Sequence, residues 1–341
     1  MRYIIIDMYN LFFRMRHTAS RQATIEDKLG MCMHTMLASA NKVVTMMDVD
    51  HVVFALDGHS WRKDFYAPYK KPRADARQAR TETEVEEDEL YFETLNELTK
   101  YLHEHTNCSV IRQANAEADD VVARWIELHP DDDHVILSSD SDFYQLISSQ
   151  VVQYNGVAKQ LITLDGYFDD KNKPILDTKT KEHKLLDDPR WLLFEKCIRG
   201  DTSDNVFSAY PGVRKKGTKN KTGLLEAFDD RTKKGFAWNN LMLQRWTDHN
   251  GDEHRVLDDY ERNCMLIDLT LQPQQVIDDV DIEIINVVLA DLYKRIAANQ
   301  ITFHFMKFCG KHNLTKLAQY PDNVIKWISK PYNGVLLDGQ N

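Results

Sequence analysis

The sequence lacks the features that mark secreted, membrane-spanning and zinc-binding proteins. It has five cysteines in 341 residues, and they are scattered, with no Cys-x-x-Cys pair. This pattern predicts free thiols in a reducing cytosol and argues against a zinc site. The apolar start reaches Asp7 too soon for a signal peptide, and no apolar run approaches the roughly 18 residues of a membrane span. We therefore expect a cytoplasmic protein with no membrane partner.

An excess of positive charge is also missing. The formal net charge is -10, with 43 Lys and Arg against 53 Asp and Glu. Proteins that bind nucleic acid without sequence preference are usually basic, so any such contact here must come from local basic segments. The length predicts roughly two domains with a sizeable core, and the sequence shows no internal repeat.

Short apolar segments that end in aspartate recur in the first half of the chain. Each reads as a buried strand of a parallel sheet followed by its acidic residue: Tyr3–Ile6 by Asp7, Val52–Leu56 by Asp57, and His134–Leu137 by Asp140. Helical patterns alternate with them, which predicts an α/β fold with a parallel central sheet flanked by helices. Ligands bind at the carboxyl edge of such sheets, so one carboxylate cluster is expected there.

A second aspartate follows the third of these strands closely. If the chain stays extended, Asp140 and Asp142 point the same way just past the strand end. Two adjacent carboxylates repel each other unless a cation lies between them. A solvated Asp-Ser-Asp turn is the alternative interpretation of this segment.

Three more carboxylates crowd the start of a helix predicted within residues 114–128. Asn115 is a candidate cap, and acidic residues favour a helix N-terminus in any case. On a regular helix Glu117 would neighbour Asp120, whereas an extended start would pair it with Asp119. The sequence leaves both arrangements open.

Residues 61–80 differ from the rest of the chain in charge. They hold seven Lys and Arg against two aspartates, with four aromatic residues interleaved. Cations for phosphates and aromatic faces for bases are typical of a channel for a single strand. A solvated basic face with aromatics in the core is the alternative. The acidic run Glu82–Glu89 follows and is predicted to be a solvated helix start or a flexible segment.

A second basic segment lies in the later half of the chain. A helix predicted at Trp191–Ile198 leads to Asp201 and Asp204, which could share one face or one turn. The loop Pro211–Gly223 then carries five cations before an apolar helix start. Such a loop predicts a phosphate site formed by backbone amides and charge, with an exposed basic turn as the alternative.

Taken in order, these segments resemble the phage and bacterial 5′-nucleases, the flap endonuclease family, which includes phage enzymes also called ribonuclease H. The matching segments are IIID, FALDG, WRKDFYAPYKKPR, AEADD, SSDSDF, and RGDTSDN followed by PGV. The resemblance implies a stand-alone phage-type enzyme with a PIN-like 5′-nuclease fold and a C-terminal helix–hairpin–helix-like domain. We predict an α/β nuclease domain at 1–190 with a basic arch at 61–90, a helical DNA-binding domain at 191–329, and a weakly structured tail at 330–341.

The resemblance also implies roles for individual residues. Nine carboxylates would hold two divalent metal ions: Asp7, Asp57, Glu117, Asp119, Asp120, Asp140, Asp142, Asp201 and Asp204. Lys70 and Arg73 would act in catalysis from an arch over the active site. The DNA contacts would come from Arg62, Lys215, Lys216, Lys219 and Lys221. The loop departs from the family pattern Gly-Val-x-Gly-Ile-Gly-x-Lys, because it has no isoleucine and a longer basic insert. The resemblance therefore leaves open whether this loop binds the potassium ion often found there in relatives.

Oxygen ligands without His or Cys select Mg²⁺, with Mn²⁺ as a possible substitute, and two such ions can clamp a scissile phosphate. We therefore expect a 5′-3′ exonuclease and flap endonuclease that removes primers in phage replication inside the host cell. Its substrates would be branched or nicked duplex DNA, 5′ flaps and RNA–DNA hybrids, and a phage single-stranded DNA-binding protein is a candidate partner.

Three other classes of protein fit this sequence less well. An aspartyl-phosphate phosphohydrolase needs a second Asp where Tyr9 stands. PIN-type endoribonucleases are much shorter and lack the PGV segment. A DNA-binding module without catalysis would not need nine carboxylates.

Overall fold

The structure is a computed structural model that describes residues 1–219 and 221–336. The chain divides into two compact units. Unit 1 contains Met1–Ser60, Arg80–Leu186 and the chain from Gln274 onward, and unit 2 contains Trp61–Ala79 and Asp187–Pro273. Each unit is therefore built from segments that are distant in sequence.

Seven strands form the sheet of unit 1. Across the sheet they lie in the order β3 (Ser109–Ile111), β2 (His51–Ala55), β1 (Arg2–Asp7), β4 (Asp133–Leu137), β5 (Val151–Asn155), β6 (Gln160–Thr163) and β7 (Gly166–Phe168). The first five are parallel, and the last two continue the sheet in antiparallel fashion. The predicted α/β fold with a parallel central sheet is confirmed, and the three predicted strands are β1, β2 and β4.

Eight α-helices and one 3₁₀ helix accompany this sheet among the described residues. They are α1 (Met8–Ala19), α2 (Ile25–Met47), α5 (Glu82–His105), α6 (Ala118–Leu128), the 3₁₀ helix (Ser141–Leu146), α11 (Gln274–Tyr293), α12 (Ala298–Lys311), α13 (Thr315–Gln319) and α14 (Asp322–Ile328). The acidic run after residue 81 is the start of α5, where Thr81 and Glu84 cap each other's backbone amides. The predicted helix start is confirmed there. No helix within residues 1–219 and 221–336 has the length and apolar character needed to cross a membrane.

Both faces of the sheet are covered, as its continuous apolar strands require. Alternate residues of β1 point to opposite faces. Ile4 and Ile6 belong to the large apolar cluster that α2, α5, α12 and α14 complete. Tyr3 faces the other way and meets Trp125 of α6, with the ring centres 5.3 Å apart. The carboxyl ends of the central strands thus project from a rigid, buried layer.

Unit 2 is mainly helical. Its elements are α3 (Trp61–Phe65), α4 (Lys71–Gln78), α7 (Pro189–Arg199), α8 (Leu224–Asp230), α9 (Phe236–Met242), the hairpin of β8 (Arg245–Thr247) and β9 (Glu253–Arg255), and α10 (Val256–Ile267). Its core packs aromatic residues such as Trp191, Phe194 and Trp238 around Leu224. The predicted helix at 191–198 is confirmed as part of α7.

The helices α11 to α14 belong to unit 1. The sequence pattern had instead placed residues 191–329 in one helical domain. The reason is packing, because Phe305 of α12 and Trp327 of α14 enter the core of the sheet unit. The tail predicted from residue 330 has no helix or strand up to 336, yet it is anchored. Tyr332 is buried and its hydroxyl lies 2.8 Å from His129 Nε2. Residues 337–341 of that predicted tail lie outside the described residues.

Candidate functional site

The carboxyl end of β1 places Asp7 at the centre of the acidic edge of unit 1. The side chain is 5% exposed and caps α1, accepting a hydrogen bond from the Asn10 backbone N–H at 3.1 Å. Ser138, which directly follows the neighbouring strand β4, donates to its other oxygen at 3.0 Å. Two neutral donors from adjacent chain segments therefore fix the orientation of this buried carboxylate.

Two further carboxylates act electrostatically on Asp7. Burial and then repulsion from Asp57 raise the pKa of Asp7 to about 7, and Asp140 adds to this. The hydrogen bonds from Asn10 and Ser138 oppose the shift without cancelling it. The strand ends predicted to converge thus do lie close enough to interact. Such a group of like charges in a buried position favours the binding of a cation.

The start of α6 adds three acidic residues to this unit. Glu117 is extended, with φ -83° and ψ 162°, and precedes the helix as its cap. Its backbone N–H donates to Asp120 Oδ2 at 3.0 Å, and Ala118 N–H donates to Asp57 Oδ1 at 2.8 Å. The prediction of Asn115 as the cap is wrong, because the helix begins three residues later. Glu117 is thus extended, as in the second of the two arrangements left open by the sequence, while Glu117 and Asp120 cap each other's backbone amides.

The segment after β4 holds Asp140 and Asp142 together by a turn. The strand ends at Leu137, so the expected strand alternation does not relate the two side chains. Instead Asp140 caps the 3₁₀ helix and accepts from the Asp142 backbone N–H at 3.0 Å. The Gln153 side chain donates to the carbonyls of Ser138 and Asp140, at 2.9 and 2.6 Å, and so fixes the loop.

Asp119 lies in the first turn of α6 and is half-buried, whereas Asp120 is completely buried. The structure thus collects Asp7, Asp57, Asp140 and these helix-start carboxylates within one unit. Their assignment as metal ligands stays a prediction. The donor set of this edge is made of hard oxygen atoms, which suits a divalent cation such as Mg²⁺.

In unit 2, Asp201 is held by a cation that sequence reasoning missed. Lys196 Nζ lies 2.8 Å from Asp201 Oδ2, while Ser203 donates to Oδ1 through its backbone N–H and its hydroxyl, at 2.8 and 2.7 Å. Burial alone would raise the pKa of Asp201, but Lys196 and Ser203 outweigh it and lower the pKa below its ordinary value. Asp201 is therefore kept ionised in this unit.

Asp204 connects the basic segment of unit 2 to the turn that also carries Asp201. Its carboxylate accepts from Tyr69 Oη at 3.0 Å and from Arg73 Nη2 at 2.7 Å, and Lys70 Nζ lies 3.6 Å away. Lys70 has a left-handed backbone, with φ 53°, and its N–H donates to the Asp204 carbonyl at 2.8 Å. The two residues predicted to act in catalysis are thus paired with a predicted metal ligand.

Arg62, predicted to contact DNA, lies inside unit 2. Its side chain is 1% exposed, and Nε donates to the Leu266 carbonyl at 2.9 Å. The guanidinium also lies over the Trp61 ring, 4.6 Å from its centre. Arg62 therefore packs against neighbouring residues rather than presenting its charge to solvent, because it occupies the inner face of the short helix α3.

The basic loop before α8 keeps its charge on the surface, where Lys215, Lys216, Lys219 and Lys221 are exposed. Two of its backbone amides donate to a carboxylate of the same unit. The Glu226 carboxylate accepts from the N–H groups of Gly217 and Gly223, each at 3.0 Å. These two amides are therefore already used within the loop, and the phosphate site expected from the loop's amides and charge stays a prediction. Lysine side chains remain as the groups that can meet a phosphate.

Sequence reasoning also missed the neutral residues that orient the carboxylates. Ser138 and Asn10 fix Asp7, and Tyr69 fixes Asp204. A usable signal existed for Tyr69 and Ser138, because Tyr69 lies within the basic segment 61–80 and Ser138 lies two residues before Asp140. Lys196 gave no such signal, since its pairing with Asp201 depends on how the chain turns after α7.

Comparison with known proteins supports one family. The model of the 5′-3′ exonuclease N-terminal resolvase-like domain matches residues 2–173. This match covers half of the chain, so the chain belongs to the 5′-3′ exonuclease family. It is a nuclease, and the resemblance stated from the motifs is confirmed.

Individual relatives are distant in sequence. The chain is 26% identical to the flap endonuclease Xni of Shewanella loihica over 231 residues, which cover 67% of this chain and 77% of that protein. It is 25% identical to the flap endonuclease of Escherichia phage T5 over 228 residues, covering 66% and 69%. DNA polymerase I of Chloroflexus aurantiacus is 27% identical over 233 residues, but the chain spans only 22% of that polymerase.

Solved structures show the same fold. The phage T5 D15 protein, co-crystallised with metal ions, superposes with a TM-score of 0.56 at 20% identity, covering 84% of this chain and 99% of that one. A complex of the T5 D15 flap endonuclease with DNA and metal ions gives a TM-score of 0.53 at 19% identity, with the same 84% and 99% coverage.

Proposed function

We propose that the protein is a divalent-metal-dependent 5′-3′ exonuclease and flap endonuclease that hydrolyses phosphodiester bonds in DNA and in RNA–DNA hybrids by a two-metal mechanism. The observation that carries the proposal is the buried Asp7, whose pKa is raised by burial and by Asp57 and Asp140. Burying a carboxylate beside two others is costly unless a cation neutralises the group. The family match and the names of the relatives point to the same chemistry.

The residues of the acidic edge fit a divalent cation. The donors to Asp7 are a backbone amide and a hydroxyl, which leave its negative charge uncompensated. Asp57, Asp140 and Asp142, with the carboxylates at the start of α6, would complete an all-oxygen set suited to Mg²⁺, with Mn²⁺ as a substitute. When bound, such ions supply charge neutralisation for the scissile phosphate and activation of the attacking water.

Lys70 and Arg73 are proposed to neutralise charge on the reacting phosphate. Both are held by Asp204, so their cationic groups are oriented before substrate binds. A phosphate oxygen can replace the carboxylate as their partner at little cost in geometry, because Arg binds both groups in the same planar fashion. Asp201 and Asp204 remain predicted metal ligands within unit 2.

The exposed lysines of the loop before α8 are proposed to bind duplex phosphates. Their contact would be electrostatic and independent of sequence, since the nearby amides are occupied by Glu226. We propose nicked or branched duplexes, 5′ flaps and RNA–DNA hybrids as substrates, and primer removal in phage replication within the host cytoplasm as the role. A phage single-stranded DNA-binding protein is the proposed protein partner.

A 5′-labelled flap duplex tests the proposal directly. Release of labelled products should require Mg²⁺ or Mn²⁺ and stop with EDTA, and Asp140→Asn should abolish it while the exposed Asp131→Asn leaves it unchanged. Binding of the duplex without any release would indicate a DNA-binding module. Cleavage of single-stranded RNA in preference to the flap would indicate an endoribonuclease. Full activity in EDTA would contradict the metal mechanism.

A further inference from the structure

Helix α11 carries apolar side chains on two opposite faces. The helix packs on α6 and β3, and its buried residues include Val276, Val280, Ile284 and Val288. Arg124 of α6 fixes the helix from this side, because its guanidinium donates twice to the Asp281 carboxylate, each time at 2.7 Å. The inner face therefore holds α11 firmly in unit 1, and the outer face is turned to solvent.

The outer face of α11 forms an apolar stripe. Its members are Ile282, Ile285, Leu289 and Tyr293, which are 57%, 36%, 50% and 86% exposed. Their spacing of three and four residues places all of them within an arc of about 80° on one side of the helix. Single exposed apolar residues are ordinary on a protein surface, whereas a continuous line of them along a helix is typical of an interface. We call this surface the α11 stripe.

The two ends of the α11 stripe carry opposite charges. Asp278 lies one turn before the stripe on the same side of the helix, and Arg295 follows it by two residues; both side chains are exposed. Asp278 accepts from Gln274 Nε2 at 2.8 Å, and Arg295 donates to the carbonyls of Asp291 and Tyr332, at 2.9 and 3.0 Å. These contacts are with neutral groups, so they leave one negative and one positive end.

We propose that two copies of the chain pair through the α11 stripe as an antiparallel dimer with two-fold symmetry. The charges favour this direction, because a parallel pair would set the two Asp278 carboxylates against each other and would do the same with the Arg295 guanidinium groups. A second copy is the partner that the helix itself specifies, since it brings an apolar stripe of the same length and the complementary charge at each end. The dimer needs only unit 1, so it can form whether or not the nuclease function is as proposed.

One register serves the apolar side chains and the charges together. If Ile285 lies opposite Leu289 of the second copy, the two-fold axis also sets Leu289 opposite Ile285 of that copy. The two ends of the stripe then face each other to within one residue, and so do Asp278 and Arg295. The contact therefore has an apolar centre and an ion pair at either end.

The contact is small for a protein interface. Four apolar side chains from each copy bury less than the roughly 1,600 Å² of a standard interface, so we expect monomer and dimer in equilibrium rather than an obligate dimer. The expected dissociation constant is on the order of 10 µM.

Sedimentation velocity of the full-length protein tests the pairing. Between about 1 and about 200 µM the wild type should shift from monomer to dimer. Leu289→Asp puts a carboxylate in the middle of the stripe and should weaken association about 30-fold or more. Leu164→Asp is the matched control, because Leu164 is 47% exposed and lies between β6 and β7, and it should leave association unchanged. Tyr293→Asp, at a position that is 86% exposed, repeats the test if Leu289→Asp does not fold.

Disulfide trapping tests the antiparallel register. A mixture of Ile285→Cys chains and Leu289→Cys chains should give, under mild oxidation, an intermolecular cross-link between positions 285 and 289. Each variant alone should cross-link far less, because its two new thiols would lie about four residues apart along the paired helices, too far for a disulfide.

Three results would overturn the proposal. A wild type that stays monomeric up to about 200 µM would show that the stripe does not pair with itself and is the surface for a different partner. Self-association that both Leu289→Asp and Tyr293→Asp leave intact would place the contact elsewhere on the chain. Cross-linking of either cysteine variant alone as strongly as the mixture would exclude the antiparallel register.

Discussion

The burial of Asp7 makes the stability of the metal-free protein depend on pH. Its folded-state pKa is about 7 against an ordinary value of 3.8. As pH rises between these values, the unfolded chain loses this proton first, so ionisation favours unfolding and stability falls. The difference of about 3 between the two pKa values corresponds, at 1.36 kcal/mol per pKa unit, to a loss of stability of at most about 4 kcal/mol. Since repulsion from Asp57 and Asp140 contributes to this raised pKa together with burial, we expect ~2 kcal/mol from this residue alone.

The substitution Asp7→Asn removes the charge and keeps the shape and one acceptor oxygen for the Asn10 amide. In EDTA at pH 8, urea unfolding should show the variant ~2 kcal/mol more stable than wild type, and the difference should shrink at pH 4.5. Asp131→Asn, at an exposed position, serves as the control and should show no such pH dependence. Saturating Mg²⁺ or Mn²⁺ should reverse the order, because only wild type then gains stability from binding.

Two results would refute this reasoning about Asp7. If Asp7→Asn is no more stable than wild type at pH 8 in EDTA, the buried charge carries no penalty. If the difference is the same at pH 4.5 and pH 8, the effect comes from packing rather than from ionisation.

Three further predictions follow from other charged groups. Lys70→Ala should lower turnover at saturating DNA on the order of 10²-fold with little change in affinity, whereas the exposed Lys63→Ala should change neither, and a loss of affinity alone would contradict the role of Lys70. Alanine at Lys215, Lys216, Lys219 and Lys221 should reduce the slope of log affinity against log salt by up to about 4 and spare turnover, and an unchanged slope would remove the loop from DNA binding. Burial lowers the pKa of His134 to about 4, so stability should fall as pH drops below 6.5, when the unfolded chain takes up the proton first. His134→Phe should remove up to about 3 kcal/mol of that loss between pH 7 and pH 4 in urea titrations, and the exposed His17→Phe should not.

The parallel sheet and its acidic edge could be predicted because they depend on local patterns. Continuous apolar segments mark buried strands, and parallel strands bring their carboxyl ends to one edge, so Asp7, Asp57 and Asp140 had to be near each other. The mutual capping of Glu117 and Asp120 could not be predicted, because it depends on the residue at which α6 begins, and a sequence pattern places a helix end only to within one or two residues.

Other features depend on contacts between distant segments, which periodicity does not encode. Because Arg62 lies among cations and aromatic residues, the sequence predicts an exposed side chain. In the structure it donates to the backbone carbonyl of Leu266, which is 204 positions away in the chain. The amides of Gly217 and Gly223 lie in a glycine-containing basic loop, yet the Glu226 carboxylate accepts from both. The amphipathic pattern of α12 and α14 predicts helices but does not say which core they cover.

The division of the chain between the units has a consequence for how the protein is made. The chain leaves unit 1 after Ser60 and Leu186 and returns at Arg80 and Gln274, so the strands emerge from the ribosome long before α12 and α14 that cover them. The hydrogen bond between His51 and the Lys330 carbonyl joins residues 279 positions apart. Such long-range closure slows folding and leaves apolar strands open to aggregation during synthesis. A nascent chain stalled before Gln274 should therefore depend on chaperones, and its central strands should be cut by protease until the last helices arrive.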